Sequence, residues 1–65
     1  MPDRVISAFN SYFPTATIVP MSVREVTDNR GKVVYQFRFL LSGDVAGEAW
    51  IDRDGQSITI FYRSP

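Results

Sequence analysis

Residues 28–41, Asp-Asn-Arg-Gly-Lys-Val-Val-Tyr-Gln-Phe-Arg-Phe-Leu-Leu, decide the fold, because they join a turn to a long alternating strand. The Asp-x-x-Gly sequence favours a tight turn, with Gly31 at the position that requires a left-handed backbone. The large side chains of Tyr35, Phe37 and Phe39 then alternate with glutamine and arginine. Such alternation is typical of a strand that is buried on one face. The stretch therefore predicts a hairpin whose second strand has one apolar face and one mixed face.

Two further turn signals divide the rest of the chain into predicted strands. Residues 42–44, Ser-Gly-Asp, and residues 53–55, Arg-Asp-Gly, interrupt runs that are rich in Val, Ile, Phe and Tyr. An Asp-Gly pair between alternating runs is a strong hairpin signal. The predicted strands are residues 15–27, 32–41, 45–52 and 56–63.

A short amphipathic helix precedes these strands. Asp3 can cap or start a helix after Pro2, and Pro14 stops it. In between, apolar residues recur at the spacing of one helical face, namely Val5, Ile6, Phe9, Tyr12 and Phe13. We predict an α+β fold, in which one N-terminal helix packs on a four-stranded antiparallel β-meander, as a single domain of residues 1–65. The predicted core consists of Val5, Ile6, Phe9, Phe13, Val19, Met21, Val23, Tyr35, Phe37, Phe39, Ala49, Ile51, Ile58 and Ile60.

The turns also predict which residues face each other across the strands. A three-residue loop at 29–31 and a two-residue Asp54-Gly55 turn set the first and last hairpins. Pro20 cannot donate to a ladder, so the first strand is predicted at the sheet edge or bulged there. The predicted core-side pairs are Val23–Phe37, Met21–Phe39, Val19–Leu41, Ile51–Ile58 and Ala49–Ile60, and the reverse-side pairs include Arg24–Gln36 and Val26–Val34.

The middle hairpin leaves two alternatives open. A regular two-residue Gly43-Asp44 turn would place Trp50 on the same face as Phe37, which conflicts with the last hairpin. A one-residue bulge at Gly47 would remove the conflict. A three-residue loop at 42–44, pairing Arg38 with Glu48, would remove it as well. Either solution directs Trp50 away from the core.

The face of the sheet opposite the helix is the predicted functional surface. Two aromatic and several aliphatic side chains there could form a patch of roughly 300 to 600 Å², the size at which an exposed apolar patch often has a function. The alternative is that scattered apolar residues on a sheet carry no role. The predicted partner-binding or dimer surface consists of Arg24, Val34, Gln36, Arg38, Leu40, Glu48, Trp50 and Phe61.

Composition disfavours most chemistries. The chain has seven Lys or Arg, seven Asp or Glu, no His and no Cys. It therefore lacks the usual general base, the thiol nucleophile and the commonest transition-metal ligands. The Asp52-Arg53-Asp54-Gly55 stretch is similar to the start of a calcium loop but lacks the later ligands, so it predicts a hairpin turn. We predict no enzymatic activity, no metal and no cofactor.

The order of features resembles the PepSY-like small domains. The resemblance rests on Tyr12-Phe13-Pro14, residues 15–19, the alternation of residues 35–39, and residues 50–55, Trp-Ile-Asp-Arg-Asp-Gly. It implies a domain that binds or inhibits peptidases or other enzymes without catalysis. Such domains are typically exported, whereas the first thirteen residues here carry no secretory signal. If Met1 is the native start, we expect a cytoplasmic protein.

These observations predict a non-catalytic interaction or inhibitor module that acts through the exposed sheet face. The expected partners are a second copy, as a homodimer, and an unidentified protein. No apolar run is long enough to span a membrane, so no membrane partner is expected. The alternative is a small nucleic-acid or nucleotide binder that uses Trp50, Arg24 and Arg38. The zero net charge disfavours that alternative, because such binders add a positive groove.

Overall fold

The computed structural model of the protein describes residues 1–42 and 45–63, without the side chain of Arg63. One helix is followed by an antiparallel sheet of five strands, which confirms the α+β prediction. The elements are α1 (Asp3–Tyr12), β1 (Thr17–Ile18), β2 (Arg24–Thr27), β3 (Val33–Leu40), β4 (Ala46–Asp52) and β5 (Ile58–Arg63).

Helix α1 lies where the sequence places it. Pro2 precedes its first turn, and the Pro2 carbonyl accepts from the Val5 N–H at 3.1 Å. Asp3 starts the helix and makes no side-chain cap. Val5 and Phe9, one turn apart, are fully buried against the sheet. The helix ends as the Phe13 N–H donates to the Phe9 carbonyl at 2.9 Å, just before Pro14.

The four-stranded meander is not the observed sheet. The predicted first strand is divided into β1 and β2, which both pair with β3, and β3, β4 and β5 follow in order. Opposite β2, Arg24 faces Gln36 and Val26 faces Val34, as predicted. Opposite β1, however, Ile18 faces Phe39, so the predicted Val19–Leu41 and Met21–Phe39 pairs are wrong.

An interruption at residues 19–23 causes this difference. Five residues separate β1 from β2, whereas only two residues, Phe37 and Arg38, separate their partners on β3. Pro20 lies within it, and β1 and β2 pair only with β3, which confirms the prediction that this proline-containing segment is at the sheet edge. The extra residues turn outward at Met21, whose φ of +64° is left-handed and whose side chain is fully exposed. Met21 is therefore wrong as a core prediction.

Ser22 replaces the missing ladder hydrogen bonds inside this interruption. Its hydroxyl accepts from the Arg38 N–H at 3.0 Å and donates to the Val19 carbonyl at 2.7 Å. The Val19 N–H donates to the Arg38 carbonyl at 2.9 Å. The backbone of Arg38 thus keeps its partners although β1 and β2 are not continuous.

Four phenylalanine rings form the centre of the core. Phe9 contacts Phe37 and Phe39 edge-on, with ring centroids 5.0 and 5.1 Å apart. Phe13 lies 5.4 Å from Phe9 and 5.0 Å from Phe39. Such tilted and edge-on contacts add about 0.5 to 1.5 kcal/mol each to the burial of the rings. They join α1 to the middle of β3.

The observed core agrees with most of the predicted one. Val23 is exposed and does not belong to it, and Ile18, Ala16 and Val33 are partly buried members that the sequence did not identify. Leu41, predicted on the core side, is partly buried there as well. Ile18 takes an inward position because the interruption reverses which residues of the first strand face α1. The buried members are Val5, Phe9, Tyr35, Phe37, Phe39, Ala49 and Ile51, and Phe13, Ile58 and Ile60 pack against them.

The first hairpin has the predicted three-residue loop. The Asp28 N–H donates to the Lys32 carbonyl at 2.8 Å, and Gly31 has a φ of +79°. The Asp28 carboxylate accepts from the backbone N–H groups of Arg30 and Lys32. This Asx arrangement explains the aspartate at that position.

The middle hairpin takes the register that pairs Arg38 with Glu48. The Leu41 N–H donates to the Val45 carbonyl at 2.9 Å, so the β3–β4 pairing continues to these two residues. Gly43 and Asp44, on which the turn predictions rest, lie outside the described residues. Gly47 is in regular register with Phe39 and Tyr62, so the alternative of a bulge there is wrong.

Gly47 is needed because an aromatic ring lies over it. A Cβ at this position would lie 2.5 Å from Cζ and 2.9 Å from Cε1 of Phe39. Phe39 is fully buried among other rings and has little room to move. The glycine thus lets the phenylalanine of the neighbouring strand cover its backbone.

The last hairpin has the predicted pairs, Ile51 with Ile58 and Ala49 with Ile60. Its loop is longer than the predicted two-residue turn, because the backbone pair that closes it is Asp52 with Ser57. Gly55 has a φ of +75°, and a Cβ there would lie 2.8 Å from the Arg4 carbonyl oxygen. Gly55 therefore allows this loop to pack directly on the first turn of α1.

Candidate functional site

The outer face is the surface of the sheet opposite α1, and it carries all eight residues predicted for the contact surface. The pairing of the strands arranges them in rows across the sheet. One row is Arg24, Gln36, Trp50 and Thr59, the next is Arg38, Glu48 and Phe61, and the flanking rows contain Val34 and Leu40.

An aromatic pair lies on this face. Trp50 and Phe61 meet edge-on, with ring centroids 5.4 Å apart and an interplanar angle of 62°. Trp50 is 39% exposed and Phe61 is 48% exposed. The prediction that Trp50 points away from the core is confirmed, because Ala49 and Ile51 on either side of it are fully buried.

Glu48 holds the indole in place from the same strand. The Trp50 Nε1–H donates to Glu48 Oε1 at 3.0 Å. Glu48 and Trp50 are two residues apart on β4, so their side chains share a face of the sheet. Glu48 is also opposite Phe61 on β5. The indole is thus fixed at its nitrogen by a carboxylate and along its ring by a phenyl group. This role of Glu48 was not identified from the sequence, although its spacing from Trp50 is a signal for it.

Arg38 and Arg24 lie beside this group on β3 and β2. Both are exposed, and Arg38 is directly opposite Glu48. A depression of about 280 Å³ extends from Ser22 and Arg24 to Arg38 and Glu48, next to the interrupted first strand. It was not predicted, because it depends on the displacement of Met21.

Leu40 extends the apolar part of the outer face toward β1. Its side chain is about half exposed. A depression of about 230 Å³ beside it is lined also by Val19, Phe39 and Ala46. Val19, predicted in the core, instead lines this depression and is only partly buried.

A third depression, of about 300 Å³, lies on the other side of Trp50. Its lining includes the basic residues Arg30 and Lys32 and the acidic residues Asp28 and Asp52. The two acidic residues accept hydrogen bonds from backbone N–H groups of their own turns. Positive and negative groups are balanced here, so this side of Trp50 is not a basic groove.

Asp52 is a structural carboxylate at the end of β4. Its Oδ1 accepts from the backbone N–H groups of Gln56 at 2.8 Å and Ser57 at 3.2 Å. Burial acts to raise the pKa of Asp52, but these hydrogen bonds and the charge of Lys32 outweigh it and hold the pKa below its ordinary value. Asp52 is therefore ionised at neutral pH and accepts hydrogen bonds from the loop backbone, which agrees with the predicted hairpin turn.

Tyr35 and Glu25 form a polar pair on the inner side of the β2 edge. The Tyr35 hydroxyl donates to Glu25 Oε2 at 2.9 Å, and the two residues are opposite each other on β2 and β3. This hydrogen bond, together with burial and the negative charge of Glu25, raises the pKa of Tyr35. The phenol stays protonated and stabilises the short β2 strand.

Within residues 1–42 and 45–63, no group of three acidic side chains is placed to hold a metal ion. In the same described part of the chain, no helix has the length and hydropathy needed to cross a bilayer. Comparison of the chain with protein-family models, curated proteins and solved structures finds no match in any of the three. The PepSY-like resemblance accordingly stays a prediction.

Proposed function

We propose that this protein is a non-catalytic interaction or inhibitor module that binds a protein partner through the outer face of its sheet. The observation that carries the proposal is the Trp50–Phe61 pair, which is half exposed on a face that α1 does not cover. Tryptophan and arginine are the side chains that most often dominate binding energy at protein interfaces. Trp50 lies one row from Arg38 here.

Preorganisation of Trp50 supports the proposal. A side chain that is immobilised on binding costs about 0.5 to 1.5 kcal/mol in lost freedom. The indole of Trp50 is already held by Phe61 and by the hydrogen bond to Glu48. Burial of this indole in an interface therefore costs less conformational entropy than burial of a mobile tryptophan would.

The arrangement of the outer face also indicates what the partner would offer. Trp50, Phe61 and Leu40 would be buried favourably in an apolar depression on the partner. Arg24 and Arg38 would pair with carboxylates at the border of that depression. An apolar centre with a polar rim is the usual anatomy of a protein interface. We therefore expect a partner with an apolar pocket bordered by acidic side chains.

Binding of a nucleic acid fits this face less well. Single-strand binders combine exposed aromatic rings with a positive groove along the backbone of the ligand. Here the indole is hydrogen-bonded to the carboxylate of Glu48. The depression on the other side of Trp50 is lined by two acidic residues as well as two basic ones, namely Asp28, Asp52, Arg30 and Lys32. The chain as a whole has no net charge.

The test compares Trp50→Ala with Tyr12→Ala in affinity capture. Tyr12 is an exposed aromatic residue on α1, 68% accessible, and so is a matched control on the opposite side of the molecule. A partner of the outer face should be retained by the wild type and by Tyr12→Ala and lost with Trp50→Ala. Circular dichroism should show that both variants remain folded, because neither side chain belongs to the core.

Trp50 is also the only tryptophan, so its fluorescence reports directly on the outer face. Titration with the captured partner should shift its emission to the blue as the indole is buried. Titration with a labelled single-stranded oligonucleotide at two salt concentrations tests the alternative. Tight binding that weakens steeply with salt and is lost in Arg24→Ala and Arg38→Ala would overturn the proposal in favour of nucleic acid.

A further inference from the structure

The two edges of the sheet differ in a way that indicates how two copies of the chain would meet. One edge is formed by β1 and β2, which have two and four residues and are separated by the interruption containing Pro20. Short strands, proline and bulges are devices that prevent pairing with another strand. This edge is protected.

The other edge, β5, has none of these devices. It is a continuous strand of six residues, Ile58–Arg63, without proline or glycine, and it pairs only with β4 among the described strands. Phe61 and Tyr62 on it are 48% and 61% exposed. A long apolar edge strand of this kind is a template for pairing with a further strand.

The pattern of the β4–β5 ladder shows which backbone groups are free. The Asp52 N–H donates to the Ser57 carbonyl, so Ser57 turns its backbone groups toward β4. In an antiparallel ladder this orientation alternates along the strand. Thr59 and Phe61 therefore also face β4, and Ile58, Ile60 and Tyr62 present their N–H and C=O groups to the free edge.

We propose that β5 pairs antiparallel with β5 of a second copy, as a two-fold dimer centred on Ile60. An antiparallel pair of identical edges requires a two-fold axis perpendicular to the sheet, which keeps both α1 helices on the same side. With the axis at Ile60, Ile58 of each copy faces Tyr62 of the other. All three edge-facing residues then exchange both backbone hydrogen bonds with the second copy.

The chemistry of β5 suits a partner identical to itself. With the two-fold axis at Ile60, this residue faces its own equivalent, so a charged side chain at that position would meet a like charge. Residues 58–62 contain no charged side chain. On the inner side, Ile58, Ile60 and Tyr62 would extend the apolar layer from one copy into the next, and the protected opposite edge would stop the assembly at two copies.

Hydrogen exchange of the wild-type protein provides the register-specific test. At concentrations where sedimentation shows a dimer, the amides of Ile58, Ile60 and Tyr62 should be protected, and they should lose protection on dilution to the monomer. The amides of Thr59 and Phe61 face β4 and should stay protected in both states. A monomer at all concentrations up to the millimolar range, or a dimer in which the amides of Ile58, Ile60 and Tyr62 exchange freely, would overturn the proposal.

A matched pair of variants provides a second test. Tyr62→Lys puts a charge on the β5 edge, and Tyr12→Lys makes the same change on exposed α1. We expect Tyr62→Lys to be monomeric at a concentration where Tyr12→Lys and the wild type are dimeric. Equal dimerisation of folded Tyr62→Lys and Tyr12→Lys would contradict the edge contact, and if Tyr62→Lys does not fold, the amide pattern of the wild type decides.

This inference is independent of the proposed outer-face function. A free outer face remains in the dimer, because pairing occurs in the plane of the sheet. If Trp50→Ala still binds the partner, the outer-face proposal fails, but the amide protection of β5 is unaffected. If the edge-facing amides of β5 exchange freely, the dimer proposal fails, but the loss of partner binding in Trp50→Ala is unaffected.

Discussion

Replacement of Gly47 by alanine gives the sharpest test of the packing described above. At an ordinary strand position, glycine to alanine stabilises a protein by about 0.4 to 1 kcal/mol, because the unfolded chain loses freedom. Gly47 has no left-handed φ to oppose this gain. Yet the added methyl group would lie 2.5 Å from Cζ of Phe39, well inside van der Waals contact.

Phe39 cannot easily move away from the new methyl group. Its ring is fully buried and lies 5.1 and 5.0 Å from the rings of Phe9 and Phe13. Overpacking of this kind costs about 1 to 3 kcal/mol. After the gain from the unfolded state, Gly47→Ala should lower the free energy of unfolding by about 1 to 2 kcal/mol. In a domain of this size the melting temperature should fall by roughly 5 to 15 °C.

Urea unfolding of the wild type, the two single variants and the double variant gives a double-mutant cycle. The cycle isolates the steric clash between the added methyl group and the ring of Phe39. Phe39→Leu removes the ring atoms that approach Gly47, at its own cost in stability. In that background, Gly47→Ala should be neutral or stabilising, which gives a coupling energy of about 1 to 2 kcal/mol. An increase in stability of the single Gly47→Ala variant, or a coupling energy near zero, would refute the close approach of Phe39 to Gly47.

Four further substitutions test the core, an exposed turn, the interruption and the last hairpin. Phe37→Ala should lower the free energy of unfolding by about 3 to 5 kcal/mol, because the side chain is 1% exposed and its loss leaves a cavity. Arg30→Ala, in an exposed turn, should change it by less than about 0.5 kcal/mol, and equal melting temperatures of these two variants would contradict the inward position of Phe37. Ser22→Ala should cost about 1 to 2 kcal/mol in urea unfolding, since the Arg38 N–H loses its acceptor; wild-type stability would show that the hydroxyl is dispensable. Asp52→Asn should be less stable than the wild type near neutral pH and lose this difference in strong acid. The reason is that the folded pKa of Asp52 lies below 3.8, so its contribution is present above about pH 4 and disappears as the pH falls through the folded pKa. Melting curves from about pH 2 to 7 check this, and a constant difference between the two proteins would contradict it.

The register of the sheet was predictable where turn chemistry and alternation agree. Asp28 and Gly31 specify the loop that places Arg24 opposite Gln36, and the Asp54-Gly55 sequence predicts the pair of Ala49 with Ile60. In the last hairpin even a wrong loop length left the pairs correct. The observed loop of residues 53–56 and the predicted turn at 54–55 have the same centre, so both pair Ile51 with Ile58.

The outer face followed from the same reasoning, because on β3 and β4 its residues alternate with buried or partly buried neighbours. Trp50 lies between Ala49 and Ile51, and Gln36 lies between Tyr35 and Phe37. What could not be predicted is how the side chains touch one another. The edge-on contact of Trp50 with Phe61 depends on the twist of the sheet and on the rotamer of each ring.

Local sequence signals specify the order of helix and strands, the alternation of the faces and the chemistry of the turns, because they act between residues close along the chain. The break in the first strand depends instead on tertiary packing. Alternation in residues 15–27 favours Val19 and Met21 inside, but pairing with β3 and the space beneath α1 select Ile18 instead. Tertiary packing also decided the role of Gly47, since the ring that requires a glycine there belongs to Phe39 on the neighbouring strand. Both outcomes depend on contacts between distant parts of the chain, where packing volume outweighs local preference.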